Sequence, residues 1–173
     1  MNPSRPEPWL RGTLTEVDPV LRAVLHALEL AKEDLQKWCC DLTDEELNAR
    51  PGGLEPIAFH LRHIARSIDR MLTYAENQPL DSEQMSAMQQ EKQPGATRDA
   101  LFTELNAKLD SASRRILAFD PGRFAESCAV GRKQLPTTAA GLIIHVADHT
   151  QRHVGQAVTT AKILKSSRQT RRT

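Results

Sequence analysis

The sequence predicts an all-α protein folded as a four-helix bundle, with a long connection between the second and third helices. Four long segments repeat apolar residues at alternating spacings of three and four, which is the period of an α-helix with one buried face. No segment keeps the two-residue period of a β-strand for any length. Four amphipathic helices of about 20 to 28 residues bury their apolar faces most simply against one another.

Length and composition favour a single domain over residues 1–173, with its core at about 19–165. Lys plus Arg (23) nearly balance Asp plus Glu (22), so a net charge of +1 gives no general attraction to nucleic acid or anionic membranes. No apolar run approaches the roughly 20 residues that span a bilayer, and residues 1–8 show no secretory signal. The three cysteines do not have the pattern of a disulfide framework, so we expect a cytoplasmic protein.

The first helix is predicted to follow an extended, proline-rich arm. Asp18 and Pro19 are typical of a helix start, with Asp as the N-cap and Pro at the first helical position. The apolar stripe then consists of Val20, Val24, Ala27, Leu28, Ala31, Leu35 and Trp38. A capping box that begins at Thr43 predicts a short helical turn, and the segment 50–53 breaks the chain.

The second helix is predicted over about residues 55–76. Its stripe consists of Ile57, Leu61, Ile64, Ile68, Met71 and Ala75. Residues 77–95 are polar and end in Pro-Gly, a dipeptide typical of turns. This segment therefore predicts a long connection with room for one helical turn.

The third helix is predicted to begin after Thr97, a good N-cap residue, and to end near Phe119. Its stripe consists of Leu101, Leu105, Leu109, Ala112, Ile116 and Phe119. Glycines and prolines over residues 121–136 predict an irregular loop. The fourth helix is predicted to begin after Thr137 or Thr138 and to end near residue 164, and the basic run over 165–172 is interpreted as a solvated, frayed tail.

Three histidines of the fourth helix, His145, His149 and His153, recur at intervals of four residues. Residues four apart lie on one face of a helix, so a pair of imidazoles so spaced can bind one metal ion. His153 falls within the apolar stripe and His149 at its edge, whereas His145 lies about 100° from the stripe centre. The spacing therefore predicts a metal site on His149 and His153, with His145 at the surface or behind the site. A further ligand must come from another helix.

The further ligand has two main candidates, His60 and His63 of the second helix. At about 100° per residue, His60 lies about 60° from the centre of the apolar stripe and His63 about 120° away. Helical geometry alone therefore favours His60 as the more buried residue. His26 stands alone on the first helix and is interpreted as a residue that flanks the site without binding metal.

Two motifs resemble those of the DinB-like superfamily, bacterial metal-binding proteins named for damage-inducible members. They are Leu61-Arg62-His63-Ile64-Ala65 on the second helix and His149-x-x-x-His153-x-Gly155-Gln156 on the fourth. The resemblance extends over about residues 19–164 and implies a four-helix bundle. It also implies that His63 joins His149 and His153 as a metal ligand, with His60 as the alternate ligand of the second helix.

Three neutral imidazoles leave a divalent ion with an open position, as in catalytic rather than structural zinc sites. Imidazole ligands suit zinc, nickel or iron. The relatives that the resemblance implies include thiol-dependent S-transferases of the bacillithiol-transferase type and a thiol-dependent isomerase. We therefore expect a metal-dependent enzyme that uses a low-molecular-weight thiol or hydrolyses its substrate, with Gln156 beside the ion or the substrate. The alternatives are a non-catalytic metal-binding protein of stress response or interaction, and a bundle whose histidines are structural.

A homodimer is the expected assembly. The resemblance implies pairing, because related bundles commonly form dimers. Apolar residues outside the main stripes, such as Leu25, Leu72 and Ile143, predict a second apolar face that a partner would cover.

Four arginines near the histidines, Arg62, Arg66, Arg70 and Arg152, permit two interpretations. In the first, the arginines surround the entrance to the site and bind an anionic substrate. In the second, they lie on solvated helix faces with their aliphatic stems along apolar neighbours. The solvated faces are the more common arrangement, so we expect these arginines to point into solvent.

Overall fold

The four predicted long helices are present, with shorter elements between them. The computed structural model describes residues 5–170, and the side chains of residues 5–168. Its elements, in chain order, are α1 (Pro19–Cys39), α2 (Asp44–Asn48), α3 (Ile57–Ala75), α4 (Ser82–Gln89), α5 (Arg98–Leu117), β1 (Ser127–Val130), β2 (Leu135–Thr138) and α6 (Ala139–Thr170). Short 3-10 turns are found at Pro8–Leu10, Pro51–Gly53 and Pro121–Arg123.

Each of the long helices α1, α3, α5 and α6 packs against two others. Helix α6 lies against α1 and α3, and α5 also lies against α1 and α3. Helices α1 and α3 therefore occupy opposite corners of a four-helix bundle, which confirms the predicted fold class. The predicted stripes meet in the centre, where the largest fully buried side chains are Leu35, Leu42, Leu47, Ile57, Leu61, Ile64, Ile68, Leu72, Leu105, Ile116, Ile143 and Val146.

The helix starts are fixed by the caps that the sequence predicts. Asp18, Thr43, Thr97 and Thr138 each accept a hydrogen bond from a backbone N–H of the following turn. Such caps satisfy donors that the first turn of a helix leaves without a partner. Of the two candidate caps of α6, Thr138 is the one that accepts from the Gly141 N–H, at 3.1 Å.

The segment predicted as an irregular loop contains an antiparallel hairpin, so that prediction is wrong. Strand β1 pairs with β2, with Ser127 opposite Thr138 and Val130 opposite Leu135. Strands of four residues are too short for a two-residue period to stand out, and Pro136 argues against a strand. A two-stranded sheet has only edge strands, where proline is tolerated.

The connection between α3 and α5 contains α4, a helix of eight residues where one turn was expected. Asp81 begins this helix by accepting a hydrogen bond from the Gln84 N–H at 2.7 Å. No helix within residues 5–170 is both long enough and apolar enough to cross a bilayer.

Both ends of the described chain are held against the bundle by ion pairs. Arg11 of the N-terminal arm donates to Glu29 and Glu33 of α1, at 2.7 Å each. Helix α6 continues to Thr170, and Lys165 and Arg168 pair with acidic residues of the segment 41–46. The predicted frayed tail is therefore wrong over residues 165–170. Residues 1–4 of the arm and 171–173 of the tail lie outside the described residues.

The second apolar face predicted for a dimer does not form. Leu25, Leu72 and Ile143 are buried in the core of the chain itself, with exposed fractions of 7%, 1% and 0%. They are buried because the core surrounds each long helix on two sides, which widens the buried face beyond the main stripe. A homodimer would need another surface, and it stays a prediction.

Two neighbouring residues of α5 test the core. Ile116 is fully buried, whereas Leu117 is half exposed. We expect Ile116→Ala to lower the free energy of unfolding by about 2–5 kcal/mol, because it removes packed atoms and leaves a cavity. Leu117→Ala should change it by less than about 0.5 kcal/mol. Urea unfolding of both variants measures the difference, and equal losses would contradict the assignment of the buried face.

Candidate metal centre

Helices α3 and α6 bring two pairs of histidines together. His60 Nδ1 lies 3.0 Å from His153 Nδ1, and His63 Nε2 lies 3.3 Å from His149 Nε2. Residue numbers rise along α3 while those of their partners fall along α6, so the two helices are antiparallel. The histidines are three residues apart on α3 and four apart on α6. Each spacing corresponds to about one helical turn, so the two histidines of α3 lie opposite the two histidines of α6.

One nitrogen from each of His63, His149 and His153 lies within 4.8 Å of the other two. His60 is more buried than His63, as helical geometry predicted, but it lies behind His153 and outside this cluster. His145 is about half exposed and pairs with Asp148, 3.3 Å away. The structure thus brings together the three residues predicted as ligands, although their role as ligands stays a prediction.

The spacing of the cluster suits a transition-metal ion. Zinc binds imidazole nitrogen at about 2.0–2.1 Å with tetrahedral geometry, which places two ligand atoms about 3.3 Å apart. The distance from His63 Nε2 to His149 Nε2 is 3.3 Å. These two nitrogens are therefore separated as two ligands of one ion would be.

The protonation states of His149 and His153 also suit a metal. Burial, together with the neighbouring imidazoles, lowers the pKa of His149 and of His153 to about 4. Burial likewise lowers the pKa of His60 to about 4. At neutral pH these rings are uncharged, so each has a nitrogen lone pair with which a divalent cation can be bound.

Each histidine of the cluster has a polar neighbour at its Nδ1 atom. His63 Nδ1 lies 2.7 Å from Glu91 Oε2, and His149 Nδ1 lies 3.4 Å from Ser67 Oγ. His153 Nδ1 contacts His60. Sequence reasoning missed Ser67 and Glu91. Ser67 follows His63 by four residues, a spacing that places it on the same helix face, whereas Glu91 lies in the polar connection and has no such signal.

Three of the four arginines hold the connection against α3, so the expectation that they point into solvent is wrong for them. Arg62 donates to the Gln93 carbonyl, and Arg66 donates to the Ala87 carbonyl at 2.7 Å. Arg70 donates to Glu91 at 2.7 Å. They repeat every four residues because they follow one face of α3. Arg152 is exposed on α6, as expected, and pairs with Asp148.

Two open cavities border the histidines. The hairpin cavity, of about 500 Å³, lies between α3, α6 and the β1–β2 hairpin and reaches His63 and His149. Its wall is mainly apolar and includes Met71, Tyr74, Val130, Leu135, Pro136 and Leu142. The Gln156 cavity, of about 700 Å³, lies beside His60. Its wall is also mainly apolar, and Glu55, Arg152, Gln156, Thr159 and Thr160 add polar groups to it.

Comparison with known proteins agrees with this fold. A family model described as the DinB superfamily matches residues 27–157, which is about three quarters of the chain. The chain belongs to the DinB superfamily. The matched residues contain most of α1, all of α3 and α5, and all three clustered histidines. No curated protein matches the chain by sequence.

Two solved structures share the fold of this DinB superfamily member. A conserved protein from Enterococcus faecalis superposes with a TM-score of 0.69 at 17% identity, and the match covers 85% of this chain and 98% of that protein. YfiT from Bacillus subtilis is described as a probable metal-dependent hydrolase with an unusual four-helix bundle topology. It superposes with a TM-score of 0.64 at 14% identity, covering 84% of this chain and 87% of YfiT.

Alanine substitutions test the metal ligands. We expect His63→Ala, His149→Ala and His153→Ala each to abolish stoichiometric divalent metal, because two imidazoles hold such an ion far less tightly than three. His60→Ala should retain metal, since this ring contacts His153 and lies outside the cluster. Elemental analysis of the purified variants measures the amount of divalent metal bound per chain.

His145→Ala is the matched control, since His145 lies on the same helix but outside the cluster. Loss of metal from His60→Ala with retention in His63→Ala would make His60 the ligand instead. Unchanged metal content in all the variants would disprove the site.

Proposed function

We propose that the chain is a metal-dependent enzyme in which His63, His149 and His153 hold one divalent transition ion, zinc, nickel or iron. His149 and His153 are neutral at physiological pH, because burial and the neighbouring imidazoles lower the pKa of each to about 4. One nitrogen from each of the three rings lies within 4.8 Å of the other two, and the nitrogens of His63 and His149 have the separation of two metal ligands. Three ligands leave the ion a position for substrate. When bound, the ion would lower the pKa of a water or a thiol that occupies this position.

Two cavities on different sides of the histidines support transfer between two organic molecules. A hydrolase needs one organic substrate and water, for which one cavity suffices. Here the hairpin cavity reaches His63 and His149, and the separate Gln156 cavity borders His60 and has the charged groups of Glu55 and Arg152 in its wall. We infer that the Gln156 cavity binds a polar, low-molecular-weight thiol, and that the hairpin cavity binds the apolar part of an electrophile. These cavities are the observation on which the proposal depends.

The reaction would be S-transfer. The thiol, held near the histidines by polar groups such as Gln156 and Arg152, loses its proton to solvent. Its sulfur forms a bond to an electrophilic carbon of the second substrate, and the leaving group departs with the electron pair of the bond that breaks. Binding of both substrates beside the histidines would bring the sulfur and the carbon together, which lowers the entropic part of the barrier.

Metal-assisted hydrolysis is the second candidate. The structural similarity to YfiT favours it, since that protein is described as a probable metal-dependent hydrolase. A third candidate is a metal-binding protein of stress response or interaction that has no turnover. A cytoplasmic location would keep a substrate thiol reduced and agrees with the unpaired Cys39, Cys40 and Cys128.

A thiol-consumption assay tests the proposal. The protein, loaded in turn with zinc, nickel and ferrous iron, is given a panel of low-molecular-weight thiols and an aryl chloride activated by nitro groups. We expect thioether formation, with release of chloride, that His149→Ala reduces to the uncatalysed rate. Turnover of an ester or amide panel without thiol would favour hydrolysis instead. Metal binding without turnover in either assay would favour the non-catalytic protein.

Leu135 allows the hairpin cavity to be tested separately in the same assay. Its side chain is 58% exposed and lines the cavity, so Leu135→Ser should leave folding intact. We expect a higher KM for the aryl chloride and an unchanged KM for the thiol, because only the apolar wall is altered. Ile144→Ser is the control, since Ile144 is 52% exposed on α6 and does not line this cavity. An equal effect of both substitutions would contradict the subsite.

Removal of the metal tests whether the ion serves chemistry or folding. The apolar core is extensive, so the bundle should not need the ion to fold. We expect chelation to leave the helical circular-dichroism signal in place and to lower the melting temperature modestly, because any ligand of the folded state stabilises it by mass action. Loss of helicity on chelation would make the ion a structural element.

A further inference from the structure

Glu91 is a buried carboxylate beside the candidate metal centre. It is 7% exposed and is the only acidic residue in the buried class among the residues that the structure describes. It lies beyond the end of α4, in the connection rather than in the bundle. A carboxylate that leaves water needs charged or hydrogen-bonding partners, and this one has two.

The two partners of Glu91 are both on α3. Its Oε2 atom lies 2.7 Å from His63 Nδ1, and its Oε1 atom accepts from Arg70 at 2.7 Å. Arginine is always a cation, so the group paired with Arg70 is the carboxylate form of Glu91. A carboxylate can only accept hydrogen bonds, so the proton between Glu91 and His63 lies on His63 Nδ1.

This assignment fixes which nitrogen of His63 faces the cluster. With Nδ1 donating to Glu91, the lone pair is left on Nε2, the atom that lies 3.3 Å from His149 Nε2. A ring that binds metal through one nitrogen commonly donates from the other to a carboxylate, which fixes its orientation and makes it a better ligand. Phe59 also stacks on this ring, with centroids 5.2 Å apart.

His149 has a comparable but weaker arrangement. The Ser67 hydroxyl donates to the Ile64 carbonyl at 3.3 Å, which leaves its oxygen free to accept from His149 Nδ1, 3.4 Å away. This directs the Nε2 atom of His149 toward His63 as well. The carboxylate at His63 is the stronger partner, because hydrogen bonds to charged groups are roughly twice as strong as neutral ones.

We propose that Glu91 is a positioning residue that holds His63 in the Nδ1–H tautomer and directs its Nε2 atom toward the metal. This role rests on the proposed metal centre. It means that the connection between α3 and α5, through Glu91, helps to set the geometry of that centre. The contacts of Arg62 with Gln93 and of Arg66 with Ala87 hold the connection on both sides of Glu91. Glu91 thus reaches the site from a segment that belongs to none of the four long helices.

Glu91→Gln tests this role by measurement of metal affinity. The change keeps the size of the side chain but replaces an obligate acceptor with an amide that cannot accept fully from both His63 and Arg70. We expect the dissociation constant for zinc, measured by competition with a chromophoric chelator, to rise by about 10–100-fold. The visible spectrum of the cobalt-substituted protein should change, because the geometry at His63 changes.

Glu104→Gln is the matched control. Glu104 accepts from Arg66 at 2.6 Å, so this change removes a similar ion pair to the same face of α3 without touching a histidine. We expect its melting temperature to fall about as much as that of Glu91→Gln, with zinc affinity unchanged. Equal zinc affinity in both variants and the wild type would overturn the role of Glu91 and leave the metal centre intact. Failure of the wild type to bind zinc, nickel or iron would overturn both proposals.

The tautomer of His63 gives a readout that needs no variant to fold. In the metal-free wild-type protein, long-range proton–nitrogen NMR correlations distinguish a ring protonated at Nδ1 from one protonated at Nε2. We expect His63 to carry its proton on Nδ1. A neutral ring protonated only at Nε2 would overturn the proposal, because that tautomer presents no lone pair to the cluster.

Discussion

The antiparallel packing of α3 against α6 is the constraint on which the site depends. It places His63 opposite His149 and His60 opposite His153, at nitrogen separations of 3.3 and 3.0 Å. These distances are set by the close-packed core beneath them, since side chains in such a core have little freedom to shift. Ile64 and Val146, both fully buried on these two helices, belong to that core. The residues that give the bundle its stability therefore also set the geometry of the cluster.

Burial and clustering select different histidines of α3. Helical geometry correctly ranked His60 as the more buried, whereas the family resemblance pointed to His63, which is the residue beside His149. The two results agree once the site is placed at the edge of the bundle rather than in its centre. A metal centre that receives substrate must border a cavity, and His63 lines the hairpin cavity. A more buried imidazole such as His60 is better placed behind the ring that it contacts.

Sequence predicted the features that depend on local periodicity and missed those that depend on contacts between distant segments. The apolar stripes predicted the four long helices, and the four-residue spacing of the histidines predicted that His149 and His153 lie together. Glu91 could not be found in this way, because its partner His63 is 28 residues away and nothing in a polar connection marks one carboxylate among many. The hairpin was missed because its strands are short and one of them contains Pro136. Glu91 and the hairpin both lie in short or irregular segments that are stabilised by neighbours elsewhere in the chain.

The helices and the connections contribute different parts of the proposed enzyme. The two antiparallel helices carry the ligand atoms, which tolerate little displacement, and rigid elements hold such atoms best. The apolar wall beside them is formed partly by the hairpin, at Val130 and Leu135. The Gln156 cavity is lined partly by Gly53, the last residue of a 3-10 turn, and by Leu54, which follows it. Loops are the parts of a fold that most readily change in sequence and length. Under the proposed function, changes in these loops alter which substrate is accepted, while the metal geometry stays with α3 and α6. Glu91 is the exception, because it lies in a connection and contacts His63, one of the proposed ligands, directly.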